Sequence, residues 1–263
     1  MNAWMTNAAV GVFALLALTA LFFFVVTRGA LMVRAMTSAG KTASAHVYPV
    51  YSNMRLIRAV DFQPVISAIL LFQYRRLVSK IVADIRQMDL TNKKLLITSC
   101  AFGNVMPRIV KAALQSGAER VIVADLIANE LDHARGKLAA FADQVEYVEE
   151  NATCMQQEDG IAAANVIFFL LHELPHHLKG QTLNEAGRLL EPGGKLFVAE
   201  FHRPSVRLLR TLSWAYFKVF EPLGLALWDS HDPVRHLENT GNWRCERTTY
   251  FFGNFQVIAA TKQ

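Results

Sequence analysis

The first strong pattern in the chain is apolar. Ala8–Val26 is a run of 19 residues without a charge. As a helix rising ~1.5 Å per residue it would span roughly 28 Å, close to the hydrocarbon thickness of a bilayer. Phe22, Phe23 and Phe24 make it apolar all round, and Trp4 is placed as an interfacial aromatic. This predicts one N-terminal transmembrane helix. Arg28 and Arg34 follow the run rather than precede it, which argues against a cleaved leader. By the positive-inside rule they place the rest of the chain in the cytoplasm. Residues 37–47 are small and polar and read as a linker. From Arg55 to about Met88 apolar residues return at helical spacing (Ile66, Ile69, Leu70, Leu77, Ile81), which predicts a helical cap.

After Met88 short apolar strands alternate with helical stretches. LLITS (95–99) leads to a helix near Val105–Gln115, and VIVAD (121–125) to one near Asn129–Phe141. VEYVE (145–149) and NVIFFLL (165–171) follow, then a helix near Thr182–Leu190 and a turn and strand over 191–201. The alternation predicts an α/β fold with a mostly parallel sheet, binding its ligands beyond the carboxyl ends of the strands. Segments around Arg247–Phe252 and Phe255–Thr261, joined by Gly253-Asn254, predict an antiparallel C-terminal hairpin. The domains expected are an anchor over 1–36, a linker and helical cap over 37–90, and a catalytic domain over 91–263.

Composition sharpens this reading. With 52% apolar and 19% charged residues among 263, the chain supports a sizeable core and is not disordered. The formal net charge of +5 invites nucleic acid, but its distribution does not. Residues 28–80 hold eight basic side chains and one acid, Asp61, directly behind the apolar run. That placement suits anionic lipid, so the expected partners are membrane lipid and not nucleic acid, and the expected location is a cell inner membrane, single-pass. Cys100, Cys154 and Cys245 are too few and too widely spaced for a disulfide framework or a CxxC metal site.

Two motif matches are excluded on physical grounds. Gly40-Lys41-Thr42 lacks the earlier glycine and the preceding strand that a phosphate-binding loop needs. His172-Glu173-Leu174-Pro175-His176 spells HExxH, but Pro175 interrupts the helix that must set both histidines on one face. His172 and Glu173 instead fall at the carboxyl end of the fourth strand, and His202 at the end of the fifth, where this fold places active-site groups. They are the candidate catalytic residues. His176 and His177 open the next segment as solvated residues. Val206–Trp228 is apolar with Arg207, Arg210 and Lys218 interspersed, and suits either an interfacial helix-turn or an amphipathic core-facing helix.

The strand–turn–helix at Ile97–Val105, Asp125 ending the second strand and the Leu-Leu-Glu-Pro-Gly-Gly turn at 189–194 resemble a class I S-adenosylmethionine-dependent methyltransferase domain over about 90–263. The resemblance implies a Rossmann-like sheet with S-adenosylmethionine held by Ile97, Ser99, Gly103, Asp125 and Asn151. Asp125 would bind the ribose hydroxyls through charge-assisted hydrogen bonds. The chain departs from that pattern: Ile97 replaces the acid before the turn, Ser99 and Ala101 replace two of its glycines, and Asn151 stands where an acid faces the adenine. HVYPVY (46–51), FQYRRL (72–77), SCAFGNVMPR (99–108), FFLLHELP (168–175), FHRP (201–204) and EPLGLALW (221–228) resemble the RquA-type rhodoquinone-biosynthesis family. That resemblance implies a membrane-bound enzyme acting on a membrane-embedded polyprenyl quinone. It would replace a ubiquinone ring methoxy group by an amino group from S-adenosylmethionine, with manganese. Glu173 and His202 would then be metal ligands, and Tyr48, Tyr74 and Trp228 quinone contacts. An apolar Ile97 beside the cofactor's α-amino group would keep that amine unprotonated and nucleophilic. The alternatives are a conventional methyltransferase of a quinone or lipid, and a non-catalytic partner in a quinone-synthesis complex.

Overall fold

A computed structural model of the protein describes residues 3–21 and 54–263. It divides into two compact units, Met1–Phe72 and Gln73–Gln263. The first holds helices α1 (Ala3–Leu21), α2 (Met54–Val60) and α3 (Gln63–Ile69). Pro64 sits in the first turn of α3, where its missing N–H costs nothing.

The expected transmembrane helix is corrected here. Among the described residues no helix is long and apolar enough to cross a membrane. Of the apolar run, α1 takes in only Ala8 to Leu21, about 21 Å of helix against a hydrocarbon core of roughly 30 Å. The remaining length of α1 carries Thr6 and Asn7. Residues 22–26 and the 37–47 linker lie outside the described residues, as do Arg28, Arg34, Tyr48 and Gly40-Lys41-Thr42. The inner-membrane location and the membrane-lipid partner rested on that helix and fall with it.

The second unit begins with α4 (Tyr74–Ile85), whose buried Leu77, Val78, Ile81 and Ile85 repeat at helical spacing. It continues through β1 (Lys94–Thr98), α5 (Val105–Gln115), β2 (Arg120–Asp125), α6 (Ala128–Lys137), β3 (Val145–Glu149) and β4 (Ala162–Phe168). Next come α7 (His176–Arg188), β5 (Leu190–Phe201), α8 (Arg207–Phe220), a 3-10 segment Pro222–Trp228, α9 (Pro233–Thr240), β6 (Trp243–Tyr250) and β7 (Phe255–Lys262). The strands form one sheet in the order β3-β2-β1-β4-β5-β7-β6. All neighbours are parallel except β7, which runs antiparallel to both β5 and β6. The predicted mostly parallel sheet and C-terminal hairpin are therefore present.

The chain's chemistry explains where elements depart from their predicted bounds. β4 starts three residues earlier than its apolar signal, because Ala162, Ala163 and Ala164 are buried residues with little hydrophobic weight. It ends at Phe168 because Phe169 takes φ +55, outside the extended region. The hairpin turns where Phe251, Phe252 and Gly253 are all left-handed, so β6 ends one residue before this run. One core cluster joins Ile167, Leu183, Leu190, Leu196, Leu237 and Ile258, packing α7 and α9 against β4, β5 and β7. A second joins Leu96, Ile122 and Ala124 to Met155 and Leu189. α4 is tied to α5 by Arg108 donating to Ser79 Oγ at 2.9 Å. The switch of strand order between β1 and β4 opens the crevice where such sheets bind ligands.

Candidate active site

The turn after β1 has a backbone that glycine usually supplies. Ser99 takes φ +75 and Gly103 φ +77, so two of the three turn positions are left-handed although only one carries glycine. A serine there costs on the order of 1–2 kcal/mol. The cost is offset by contacts that hold the turn. Ser99 N donates to Ala124 O at 2.8 Å, and Tyr74 Oη to Phe102 O at 3.3 Å. Lys137 Nζ donates to Ala101 O at 3.0 Å.

Asp125 ends β2 beside this turn and is buried. Its Oδ2 accepts from Cys100 N at 2.6 Å and Ser99 Oγ at 3.2 Å, and its Oδ1 from Ile127 N at 2.9 Å. Burial raises its pKa, against the lowering pull of those bonds. Burial and the charges of Asp125 and Glu130 push the Cys100 thiol far up, so it stays protonated. Asn151 Oδ1 accepts from Thr153 N at 3.0 Å and Thr153 Oγ1 at 2.9 Å, a turn closed on itself. Ile97 is buried in β1 between Val123 of β2 and Val166 of β4. A left-handed turn with an acidic acceptor at its flank fits a nucleoside cofactor: the turn lets the backbone approach closely, and the carboxylate takes paired hydroxyls. Ser99, Gly103 and Asp125 are thus together; Asn151 lies past the end of β3 with its oxygen engaged.

A second cluster stands at the carboxyl ends of β4 and β5. Glu200, fully buried, accepts from His172 Nδ1 at 3.1 Å, from His172 N at 3.2 Å and from Phe201 N at 2.8 Å. His172 Nε2 faces Glu173 Oε1 at 4.0 Å. The imidazole packs edge-on against Phe169 and Phe201, with ring centroids 6.0 and 5.0 Å away. Phe217 packs on Phe201 and Trp228 on Phe217. Gly224 lets the 3-10 segment come this close, since a Cβ there would lie 2.6 Å from Phe217 Cε1 and 3.3 Å from His172 Cβ. Burial alone would lower the His172 pKa. The Glu200 charge and hydrogen bond, with Glu221 and Glu173, outweigh burial and raise it to about 9. Lys179, also buried, donates to Leu171 O and to Leu174 O at 2.7 Å, and burial pulls it down to about 8.

These two groups act oppositely on stability. For His172 the folded state binds the proton more tightly than the unfolded chain, so its contribution is complete below about pH 6.5 and is lost through about 9. For Lys179 the unfolded chain binds more tightly, so stability rises between about 8 and 10.5. Each term is of order 3 kcal/mol. Urea denaturation across pH 6–10.5 is expected to show a shallow minimum near pH 8–9, and Lys179→Met is expected to remove the rise above it. Stability climbing steadily from pH 6.5 to 8 would contradict the His172 assignment, and no rise between about pH 8 and 10.5 would contradict that of Lys179.

His202 does not join this cluster as a metal ligand. Its Nδ1 is 2.8 Å from Gly253 O and therefore carries the hydrogen; its Nε2 then accepts from Arg247 Nη1 at 3.3 Å. A guanidinium stands where a metal ion would be needed. Burial and Arg247 lower the imidazole pKa, against the pull of the Gly253 hydrogen bond. Among the described residues no three His, Cys, Asp or Glu side chains gather to hold a metal. The donor set does not fit manganese, and the expectation that Glu173 and His202 bind it is corrected.

Tyr74 is buried, and its ring meets Phe168 at 5.9 Å while its hydroxyl holds the β1 turn. The indole Nε1 of Trp228 is buried without a hydrogen-bond partner. On α8, Phe217 is buried while Leu208 and Leu212 face outward, so the helix has two faces. Arg210 donates to Pro204 O and Ser205 O rather than extending outward. Sequence reasoning missed Glu200 and Lys179 as parts of the site. A lone acid ending an apolar strand was the available signal for Glu200; Lys179 had none, since it looks like any polar residue of an amphipathic helix.

Residues 45–249 match the ubiE/COQ5 methyltransferase family. The chain is 28% identical over 166 residues to the ubiquinone/menaquinone biosynthesis C-methyltransferase UbiE of Bartonella quintana, covering 62% of this chain and 63% of that one. It is 35% identical over 111 residues to the demethylmenaquinone methyltransferase of Clavibacter sepedonicus, covering 42% and 44%. The matched part thus spans less than two thirds of these relatives' lengths. The fold is shared with an O-methyltransferase family protein from Burkholderia thailandensis (TM-score 0.55, 15% identity, covering 89% and 82%). It is shared too with the N-methyltransferase NodS of Bradyrhizobium japonicum (TM-score 0.51, 10% identity, covering 72% and 96%).

These relatives correct the expectation of a membrane-bound, manganese-dependent aminating enzyme, since they are methyltransferases by name and no membrane-crossing helix accompanies the site among the described residues. The membrane-embedded form of the quinone partner is corrected with it. With amination withdrawn, Ile97 is a strand residue of the core below the turn. The family match over residues 45–249 takes in β1 to β5, the left-handed turn and the His172–Glu200 pair, and the chain belongs to the ubiE/COQ5 methyltransferase family as an S-adenosylmethionine-dependent enzyme of class I methyltransferase fold.

Proposed function

We propose that the protein transfers a methyl group from S-adenosylmethionine to a ring carbon of a hydroxylated, quinone-type substrate. The family match across the turn and the His172–Glu200 pair carries this reading. When bound, the cofactor supplies an electrophilic methyl group. Ser99 and Gly103 shape the backbone that receives it, with Ile97 beneath; Asp125 holds the ribose hydroxyls and Asn151 stands on the adenine side.

An aromatic carbon becomes nucleophilic when the neighbouring hydroxyl is ionised. His172, raised to about 9, is an imidazolium at neutral pH and favours the phenolate form of a nearby ring hydroxyl, whose proton passes to water as the substrate binds. Glu200 fixes its orientation, a positioning role. Glu173, 21% exposed, takes the proton that leaves the ring carbon after methylation. His202 borders the same rim, held by Gly253 and Arg247. Trp228 contacts the ring, and Tyr74 acts through the turn it holds.

The test uses purified full-length chain, methyl-labelled S-adenosylmethionine and reduced, short-tailed demethylmenaquinone. Label is expected in the organic extract, and Glu173→Gln is expected to lower kcat by about 100-fold. Saturable cofactor binding with no label in any hydroxylated quinone precursor would overturn the substrate class.

A further inference from the structure

A cavity of ≈ 300 Å³ lies between the end of β5, the start of α9 and the face of β6. We propose that it binds a phosphate-bearing dianion. Four guanidiniums line it: Arg203, Arg210, Arg235 and Arg247. Only two carboxylates answer them. Asp229 Oδ1 accepts from Arg203 Nη1 at 2.8 Å, and Asp232 Oδ1 from Arg247 Nη2 at 2.5 Å. Arg210 spends its donors on Pro204 O at 2.9 Å and Ser205 O at 3.1 Å, and these carbonyls leave its charge uncompensated. The Arg235 side chain makes no ion pair or hydrogen bond among the described residues. The wall therefore carries two positive charges in excess.

The hydrogen-bonding inventory points the same way. Trp228 also lines the cavity, and its indole N–H is buried with no acceptor, an omission worth about 1–3 kcal/mol unless a ligand supplies one. His202 Nε2, the ring's remaining acceptor, is taken by Arg247. What is missing is a group made of acceptors alone and carrying about two negative charges, and guanidinium is the side chain best matched to phosphate oxygens. The volume exceeds that of a bare anion and reaches the lower range of small-molecule sites. The inference goes beyond methyl transfer, and its test reads binding alone.

Isothermal titration of the full chain at chloride-fixed ionic strength would use inorganic phosphate, inorganic pyrophosphate and glycerol 3-phosphate. One site per chain is expected, with Kd at or below about 1 mM. Glycerol 3-phosphate binding tighter than phosphate would indicate an ester, and pyrophosphate binding tightest a free diphosphate; either supports the site. Arg235→Glu is expected to weaken binding at least tenfold and Trp228→Phe about fivefold, with thermal midpoints retained. Arg207→Glu, on α8 and outside the cavity, is expected to change nothing. Absence of saturation by about 10 mM, or equal weakening by Arg207→Glu and Arg235→Glu, would overturn the proposal. So would citrate binding more tightly than every phosphate.

Discussion

Glu200→Ala is expected to destabilise the protein by about 3–5 kcal/mol near pH 6. The side chain is fully buried and accepts three hydrogen bonds, two from backbone N–H groups and one from the His172 ring. Its removal leaves a buried imidazolium without its counter-ion and two buried amides without an acceptor. The loss must shrink on raising the pH towards 9, because His172 then gives up the proton that Glu200 stabilises. Glu200→Gln keeps the shape and an acceptor, so a smaller loss is expected together with a fall in the His172 pKa towards or below its usual 6.5. Urea titrations at pH 6 and 9, with the His172 ring followed by NMR, read both quantities. A cost under about 1 kcal/mol, equal at both pH values, would mean that the pair holds no charge.

Asp125→Asn is expected to separate cofactor binding from folding. Burial raises the Asp125 pKa, so a neutral side chain of the same shape escapes the cost of a buried charge, but its NH2 must face Cys100 N or Ile127 N, and a modest fall in the thermal midpoint near pH 7 is expected. Affinity for S-adenosylmethionine is expected to fall about tenfold or more, because a charge-assisted acceptor of paired hydroxyls becomes a neutral one. Asp125→Ala should weaken binding further and also loosen the turn, which loses its tie to Cys100 N and Ser99 Oγ. Equilibrium dialysis beside thermal melting tests both variants. Unchanged affinity in Asp125→Asn would remove this residue from the cofactor site.

Much of the architecture is legible along the chain, because it depends on local periodicity. Buried strands such as Leu95–Thr98 and Val121–Asp125 read as short apolar runs, and α5 reads at helical spacing. A two-residue Gly253-Asn254 joint leaves room only for a hairpin. Asp125 was identifiable through the methyltransferase resemblance, which implies a ribose-binding acid at the end of the second strand. The same kind of reading failed for Ala8–Val26, where a count of uncharged residues was taken as a span, while among the described residues no helix is long and apolar enough to cross a membrane. It also failed for manganese, since a carboxylate and an imidazole on one rim become ligands only if their lone pairs converge. Arg247, 45 positions beyond His202, takes the one that His202 has free.

The sequence by itself determined the sheet, its hairpin and the strand ends that bear the acids, because side-chain period and turn chemistry are short-range properties. Tertiary structure alone decided the rest. It turned Ser99 left-handed without a glycine, joined His172 to Glu200 across 28 positions, and buried Lys179 against the carbonyls of Leu171 and Leu174. Each of these depends on which strand lies beside which, and on the loss of water that raises one pKa and lowers another.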